Sequence, residues 1–200
     1  LDDLGADCIK TGMLHSTEVI EAVAEVLAEV PEIPVVVDPV MVAQSGAELL
    51  QGDAVRSLLR SLLPHAALLT PNLPEAEKLA GQSIPDIDAA QHAAYSLLTL
   101  GVPAALLKGG HLTGEELTDM LVTEGGLERF TDPRIPTEQT HGTGCTLASA
   151  IATGLAQGLD LRQAVVRARA YLRGALAHAP GYGRGQGPVN HAWAIPRFEG

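Results

Sequence analysis

The sequence predicts a three-layer α/β/α fold with a mostly parallel sheet, and three observations lead to this prediction. Short apolar runs alternate with amphipathic stretches along the whole chain, which is the pattern of strands alternating with helices. The length of 200 residues fits a single domain, which we expect to span residues 1–200. The composition is 46% hydrophobic and 18% charged, as in globular proteins that bury a core.

Six short runs predict strands. Residues 34–38 include three consecutive valines, which is typical of a buried strand in a parallel sheet. A hairpin is indicated where two β-rich runs meet at Gly125 and Gly126. The predicted strands cover residues 6–13, 34–38, 66–70, 102–108, 119–123 and 127–131. Ligands bind such sheets at the carboxyl ends of the strands, so the residues that follow each strand are candidates for function.

Helix starts are marked by residues that cap a helix N-terminus. Asn72 and Glu75 have the spacing of a capping box, and Asp160 precedes the last long amphipathic stretch. The predicted helices start at Ser16 or Thr17, Asp53, Asn72, Asp86, Cys145 and Asp160. Glycines in residues 39–52 and 181–188 predict loops. The helices therefore alternate with the strands, as crossover connections in a parallel sheet require.

Charge and cysteine content exclude several classes of protein. The net charge of −11 argues against a nucleic-acid partner, which needs a basic surface. Two cysteines, Cys8 and Cys145, are too few for a disulfide framework in a chain of this length, so a reducing cytoplasm is expected. No apolar stretch approaches the roughly 20 residues that span a bilayer, so no membrane partner is expected.

The sequence lacks the motifs of several other enzyme classes. It has no G-x-x-x-x-G-K-[ST] loop, which argues against a Walker-type NTPase. It has no G-x-S-x-G elbow, which argues against a serine hydrolase, and no G-x-G-x-x-G after the first predicted strand, which argues against a Rossmann dehydrogenase. The histidines do not have the spacing of metal ligands.

The strongest functional signal is a Gly-rich segment, THGTGCT from Thr140 to Thr146, directly before a predicted helix. Glycines let backbone N–H groups turn toward an anion, and a helix N-terminus adds about half a positive charge. Cys145 falls in the first turn, where a thiolate is favoured. The pattern indicates an anion hole beside a candidate base. A Gly-rich connection with a buried cysteine explains the local pattern equally well.

Five segments, in this order, resemble the ribokinase superfamily and in particular its hydroxymethylpyrimidine/phosphomethylpyrimidine kinases. The segments are KTGML from Lys10, DPVM from Asp38, TPNLPE from Thr70, KGGH from Lys108 and HGTGC from His141. The resemblance implies a ribokinase-like fold. It also implies ATP-dependent phosphorylation of 4-amino-5-hydroxymethyl-2-methylpyrimidine, and then of its monophosphate, in thiamine biosynthesis.

The resemblance implies a role for each residue of the anion hole and for the nucleotide site. Gly142, Thr143 and Gly144 stabilise the transferring phosphoryl group, and Cys145 accepts the proton of the substrate hydroxyl. Such general-base assistance contributes roughly 10²–10⁴ in rate. The nucleotide contacts that the resemblance implies are Lys108, Gly109, Gly110, Asn72, Thr140 and His141.

Metal and acceptor contacts are implied in the same way. Asp38 and Glu75 help to place Mg²⁺ by the phosphates, and Met13 and Val40 join Cys145 at the pyrimidine substrate. Each residue also has a structural explanation. Met13 fits a core position, Asp38 fits a cap that ends a strand, and Glu75 fits the capping box.

Several alternatives stay open at this point. A pyridoxal kinase of the same superfamily shares Cys145, whereas a sugar kinase has Asp at that position. A non-catalytic nucleotide-binding kinase fragment and a thiol-dependent enzyme with Cys145 as covalent nucleophile belong to other classes. The family's N-terminal strand and AGxDPSGGAG loop have no counterpart here, so we expect an N-terminally incomplete sequence. A homodimer is the assembly that the resemblance allows.

Overall fold

The structure is a computed structural model, and it describes residues 1, 3–42, 49, 50 and 52–196. The chain folds into two compact units, Leu1–Arg134 and Ile135–Gly200. Within the described ranges no helix is long and apolar enough to cross a membrane. Half of the predicted loop at residues 39–52, namely residues 43–48 and 51, lies outside the described residues.

The described part of the first unit contains a six-stranded sheet whose strands follow their order in the sequence. The strands are β1 (Ile9–Thr11), β2 (Val35–Val37), β3 (Leu68–Leu69), β4 (Ala104–Leu107), β5 (Glu116–Thr123) and β6 (Gly126–Pro133). Strands β1 to β4 are parallel, and β5 and β6 are added antiparallel. The predicted α/β fold with a mostly parallel sheet is confirmed.

The β5–β6 hairpin is longer than its sequence pattern predicts. Its pairing runs from Thr123 opposite Gly126 to Glu116 opposite Pro133. The additional pairs involve polar and partly exposed residues, so the apolar pattern that predicts a strand is missing there. The parallel strands show the opposite difference, because β1 covers only the centre of the predicted run at residues 6–13.

The helices of the first unit are α1 (Thr17–Ala28), α2 (Gly52–Ser57), α3 (Leu73–Ala80) and α4 (Ile87–Leu98). Ser16 caps α1 by accepting the N–H of Val19 at 3.4 Å. Asp86 caps α4 by accepting the N–H of Ala89 at 2.8 Å. These two predicted helix starts are confirmed, because a side-chain oxygen before the first turn satisfies an N–H that has no partner within the helix.

The prediction that Asp53 caps a regular helix is wrong. Helix α2 begins at Gly52, so Asp53 lies inside its first turn, where its carboxylate pairs with Arg56. After α2 the chain continues as a π-helical turn over Leu58–Leu62 and a 3₁₀ turn over Leu63–His65. Proline fits only the first turn of a helix, so the chain changes its helical geometry around Pro64 instead of extending α2.

Aliphatic side chains build the core of the first unit, since aromatic residues make up only 3% of the sequence. Ile20 of α1, Leu97 of α4, Val37 of β2 and Leu69 of β3 have no exposed surface. They belong to one cluster that packs helices against the sheet. This packing fixes the strands, and with them the positions of the residues at their carboxyl ends.

The second unit contains helices α5 (Thr143–Ala156) and α6 (Leu161–Ala177), which pack against each other. A Cβ on Gly154 would lie 2.8 Å from the Cβ of Ala164, so glycine allows this close approach. Asp160 and Gln163 form a capping box at α6, which confirms the predicted start. Helix α5 begins at Thr143, two residues earlier than predicted, because Gly142 at its N-cap takes a left-handed φ of 80°.

The C-terminal segment returns along α6. The indole N–H of Trp193 donates to the carbonyl of Tyr171 at 3.1 Å, and a Cβ on Gly174 would lie 2.2 Å from the Trp193 ring. The predicted loop at residues 181–188 reaches the segment before α5, where the N–H of His141 donates to the carbonyl of Gly187 at 3.1 Å. These contacts hold the C-terminal segment against α6 and against the segment before α5.

Candidate active site

The ends of the parallel strands bring polar side chains together around Asp38, which is 1% exposed. Its Oδ1 accepts a hydrogen bond from the ammonium of Lys108 at 2.8 Å and another from the hydroxyl of Thr70 at 3.2 Å. The Nζ of Lys10 lies 3.8 Å from the Asp38 Oδ2. Four neighbouring strands therefore contribute Lys10, Asp38, Thr70 and Lys108, which we call the Asp38 cluster.

The Asp38–Lys108 pair is more than a surface ion pair. The two side chains are 2% and 13% exposed, so both charges lie largely out of water. Desolvation offsets much of the attraction in such a pair, which makes it a weak source of stability and a frequent mark of a functional site. The carboxylate bonds to side chains from other strands, so a simple cap that ends β2 does not account for Asp38.

Glu75 adds a second buried carboxylate in the first turn of α3. Its Oε2 accepts the N–H of Asn72 at 2.7 Å, and the Oδ1 of Asn72 accepts the N–H of Glu75 at 2.9 Å, which completes the predicted capping box. Burial raises the pKa of the Glu75 carboxyl, while the charge of Lys108 and the Asn72 N–H act in the opposite direction. The cap thus places Glu75 within electrostatic reach of Lys108.

The turn after Lys108 is held by β5. The N–H of Gly109 donates to the Oδ1 of Asp119, a buried residue of β5, at 2.9 Å. A Cβ on Gly109 would lie 1.8 Å from the carbonyl oxygen of Thr118, so only glycine fits there. The Asp119 carboxylate therefore fixes the backbone of the turn that follows Lys108.

Arg134 is a residue that sequence reasoning missed. Its guanidinium donates to the carbonyls of Gly110 and Gly114, each at 3.0 Å, and to the carbonyl of Leu112. These contacts fix the loop that continues from Gly109. No sequence pattern marks an arginine that binds carbonyls some 20 positions earlier, because the contact depends on where the hairpin ends.

The predicted acceptor contacts lie after β1 and β2. Met13 is 55% exposed, so the structure excludes the core position that was the structural alternative for this methionine. Val40 is half-buried, two residues after Asp38. The strand order makes β1 and β2 neighbours, so both residues follow adjacent strands at the same edge of the sheet.

The Gly-rich segment of the second unit forms the N-terminus of α5. Gly142 provides the N-cap without a side-chain bond, and its carbonyl accepts the N–H of Thr146 at 2.9 Å and the Thr146 hydroxyl at 2.7 Å. Thr143, Gly144 and Cys145 occupy the first turn, where backbone N–H groups point away from the helix. Cys145 is a free, exposed thiol, so the alternative of a buried structural cysteine is wrong.

The predicted site residues thus fall into two groups. The first unit brings together Asp38, Lys108, Glu75 and Asn72, with Gly109 and Gly110 in the adjoining turn. The second unit carries the run from Thr140 to Cys145 at the start of α5. Among the residues that the structure describes, no group of three or more His, Cys, Asp or Glu forms a metal-binding cluster.

Comparison with known proteins places the chain in a family. The family model for phosphomethylpyrimidine kinase matches residues 1–190. A hydroxymethylpyrimidine/phosphomethylpyrimidine kinase of Streptomyces coelicolor is 45% identical over 196 residues, which cover 98% of this chain and 72% of that protein. The thiamine biosynthesis bifunctional protein ThiED of Geobacter sulfurreducens is 50% identical over 192 residues, which cover 96% of this chain and 39% of that protein.

Solved structures show the same fold. An ADP complex of Bacillus subtilis pyridoxal kinase superposes with a TM-score of 0.88 at 32% identity, covering 96% of this chain and 72% of that one. A phosphomethylpyrimidine kinase from Clostridium difficile 630 superposes with a TM-score of 0.75 at 35% identity, covering 86% and 70%. The resemblance drawn from the sequence motifs is therefore confirmed, and the chain belongs to the phosphomethylpyrimidine kinase family.

Proposed function

We propose that this chain transfers the terminal phosphoryl group of ATP to the hydroxymethyl group of 4-amino-5-hydroxymethyl-2-methylpyrimidine, and then phosphorylates the monophosphate. The observation that carries the proposal is the buried Asp38–Lys108 pair at the carboxyl edge of the sheet, in a chain of this family. A lysine held by a buried carboxylate is a fixed point charge, which suits a phosphate ligand. Phosphoryl transfer depends mostly on such positioning and electrostatic stabilisation.

In this proposal Lys108 binds the phosphates of ATP, and Asp38 keeps its ammonium in place. Gly109 and Gly110 allow the backbone to approach the nucleotide closely, and Asn72 contributes a further polar contact. In the second unit, Thr140 and His141 contribute to the nucleotide site. The amides of Gly142 at the N-cap of α5 and of Thr143 and Gly144 in its first turn stabilise the charge that develops on the phosphoryl oxygens.

Cys145 takes the proton of the attacking hydroxyl in the proposed reaction. Its thiol is free and exposed in the first turn of α5, where the helix dipole favours a negative charge. Met13 and Val40 contact the pyrimidine ring. The exposed position of Met13 supports this role, because a methionine that no core contact requires is available to a ligand.

Asp38 and Glu75 are the carboxylates that would hold Mg²⁺. The Asp38 Oδ2 has no hydrogen-bond partner among the described residues, so it is available to a cation or to its bound water. Mg²⁺ usually keeps several waters and takes only one or two protein carboxylates, so the small number of carboxylates fits. When bound, the ion would supply positive charge to the phosphate oxygens.

Release of ADP with MgATP tests the proposal against three acceptors: hydroxymethylpyrimidine, its monophosphate and pyridoxal. We expect turnover with both pyrimidines and a loss of roughly 10²–10⁴-fold in kcat for Cys145→Ala. Cys8→Ala is the matched control, because Cys8 is the other cysteine of the chain and lies on the first unit. Equal losses in both cysteine variants would contradict the role given to Cys145.

A pyridoxal kinase is the second candidate, since a pyridoxal kinase superposes with a TM-score of 0.88. Turnover with pyridoxal and neither pyrimidine would establish it. Binding of ATP without turnover of any acceptor would favour a non-catalytic nucleotide-binding chain. A covalent adduct on Cys145 after incubation with electrophilic substrates, detected by mass spectrometry, would favour the thiol-dependent enzyme.

We also propose a cytoplasmic homodimer. The two cysteines are free, which agrees with a reducing compartment. Light scattering on the purified protein would measure its mass in solution, and a value equal to the 20.8 kDa of one chain would contradict the dimer.

A further inference from the structure

Lys10 belongs to the Asp38 cluster, yet the proposed function gives it no role. Its Nζ lies 3.8 Å from the Asp38 Oδ2, which is an ion-pair distance but too long for a hydrogen bond. Within the part of the chain that the structure describes, this buried oxygen has no hydrogen-bond partner. The Asp38 carboxylate therefore attracts the Lys10 ammonium by charge without binding it through a hydrogen bond.

Lysine is rare in this chain, and its positions are informative. The sequence has three lysines, Lys10, Lys78 and Lys108, among 13 Lys and Arg residues. Lys10 and Lys108 both reach Asp38, whereas Lys78 is exposed on α3. Arginine pairs with a carboxylate through a two-pronged fork, while lysine is a compact point charge that also suits a phosphate oxygen. Lys10 therefore gives the Asp38 cluster a second ammonium that can face an anion.

Gly12 provides the space that lets Lys10 reach Asp38. Lys10 pairs with Val36 in the β1–β2 register, and side chains alternate along a strand, so Lys10 and Gly12 share one face of the sheet. A Cβ on Gly12 would lie 2.9 Å from the Lys10 Nζ, so the ammonium lies directly over the glycine. The Lys10 side chain is 19% exposed, so its ammonium is positioned by the fold and still open to a ligand.

We propose that Lys10 is a second phosphate-binding lysine of the site, whose ammonium Asp38 holds in position to donate to a phosphate oxygen. The inference rests on the proposed kinase function. Lys10 lies on β1, on the opposite side of Asp38 from Lys108, and three residues before the proposed acceptor contact Met13. The phosphate is therefore either the terminal one of the nucleotide or the one on the monophosphate acceptor.

Calorimetric titration of the whole chain tests this with three ligands: the nucleotide analogue AMP-PCP, hydroxymethylpyrimidine monophosphate, and hydroxymethylpyrimidine, which has no phosphate. Lys10→Met removes the charge at nearly constant volume. We expect it to weaken at least one phosphate-bearing ligand by about 10- to 100-fold, the effect of one charge-assisted hydrogen bond. Binding of hydroxymethylpyrimidine should stay unchanged. A change with AMP-PCP alone assigns the nucleotide, and a change with the monophosphate alone assigns the acceptor.

Two further variants keep the test decisive. Lys78→Met removes an equal charge from an exposed position and should leave all three dissociation constants unchanged. Gly12→Ala displaces the Lys10 ammonium without removing its charge, and it serves if Lys10→Met fails to fold. We expect Gly12→Ala to weaken the same ligand by a smaller factor.

The outcomes separate this inference from the proposed function. Dissociation constants for both phosphate-bearing ligands within about twofold of wild type in Lys10→Met would overturn it, since one lost charge contact exceeds that change. Equal weakening of the ligand without phosphate, or no binding of either phosphate-bearing ligand by the wild-type chain, would overturn it as well. A chain that binds AMP-PCP through Lys10 and phosphorylates no acceptor would confirm the inference and refute the proposed function.

Discussion

Asp38 joins strands that lie far apart in the sequence. Lys108 follows it by 70 positions, and Thr70 by 32, yet both donate to the same carboxylate oxygen. Because each of these side chains ends or follows a buried parallel strand, their contact depends on strand order more than on local sequence. A substitution at Asp38 therefore affects several strand ends at once.

A double-mutant cycle measures the Asp38–Lys108 contact. Asp38→Asn leaves the Lys108 charge buried, and Lys108→Met leaves the Asp38 charge buried. We expect each single variant to lower the free energy of unfolding by about 3–5 kcal/mol. The double variant should cost clearly less than the two together, because it removes both charges. Additive costs in urea unfolding would show that the two groups do not interact.

Glu75 predicts a pH dependence of stability. Burial raises its folded pKa above the ordinary value of 4.5, so the folded state keeps a proton that the unfolded chain has already lost. Between the pKa of Glu75 in the unfolded chain and its higher pKa in the folded state, the free energy of unfolding falls as pH rises. Glu75→Gln removes this proton equilibrium, so wild type should lose stability relative to the variant as pH increases from about 4.5. Urea unfolding without ligands measures this difference. If the unfolding free energies of wild type and variant differ by the same amount at acid and at neutral pH, the raised pKa of the buried Glu75 carboxyl is refuted.

At the scale of elements, the turn between β4 and β5 sets the geometry around Lys108. Its two glycines have different surroundings. A Cβ on Gly109 would lie 1.8 Å from the Thr118 carbonyl oxygen, whereas a Cβ on Gly110 would meet its nearest atom, in the Leu117 side chain, at 4.0 Å. Only the first glycine is required by packing against the backbone.

Alanine substitutions at Gly109 and Gly110 should differ in their effect on stability. Gly109→Ala forces β5 away from the turn and disturbs the N–H that Asp119 accepts, so we expect a loss of more than about 3 kcal/mol in unfolding free energy, as for severe overpacking. Gly110→Ala should change it by less than about 1 kcal/mol. Similar effects of the two substitutions on the urea unfolding midpoint would show that the turn relaxes more readily than this packing implies.

Much of the element content could be predicted from the sequence. Alternating apolar runs predicted the α/β sheet, and Ser16, Asp86 and Asp160 marked helix starts because a cap needs a specific side-chain oxygen next to the first turn. The same argument gave a wrong helix start at Asp53, because the Asp53 carboxylate pairs with Arg56 inside the first turn. A local pattern cannot decide between two nearby partners of one acidic side chain.

The candidate site was predictable only in part. Family motifs indicated Asp38, Lys108 and Cys145, and the structure shows the contacts that Asp38 and Lys108 make. The Lys10–Asp38 approach, the Asp119–Gly109 bond and the Arg134 carbonyl contacts could not be predicted. They depend on which residues of distant strands come side by side and on where the hairpin ends, and no local sequence motif specifies either.

At the scale of the whole molecule, the proposed machinery is divided between two compact units. The lysines and buried carboxylates lie in Leu1–Arg134, and the Gly-rich start of α5 with Cys145 lies in Ile135–Gly200. The chain spans 39% of the bifunctional relative from Geobacter sulfurreducens and 72% of the relative from Streptomyces coelicolor. The kinase proposal therefore concerns the part of those proteins that this chain matches.

The central claim is that this chain phosphorylates a hydroxymethylpyrimidine. Mass spectrometry of the acceptor after incubation with MgATP tests it most directly, with the Lys108→Met variant and a reaction without protein as controls. We predict that the wild-type chain adds one phosphate to the pyrimidine and then a second one, and that Lys108→Met does so far more slowly. An acceptor of unchanged mass after incubation with a folded wild-type chain that binds AMP-PCP would contradict the claim.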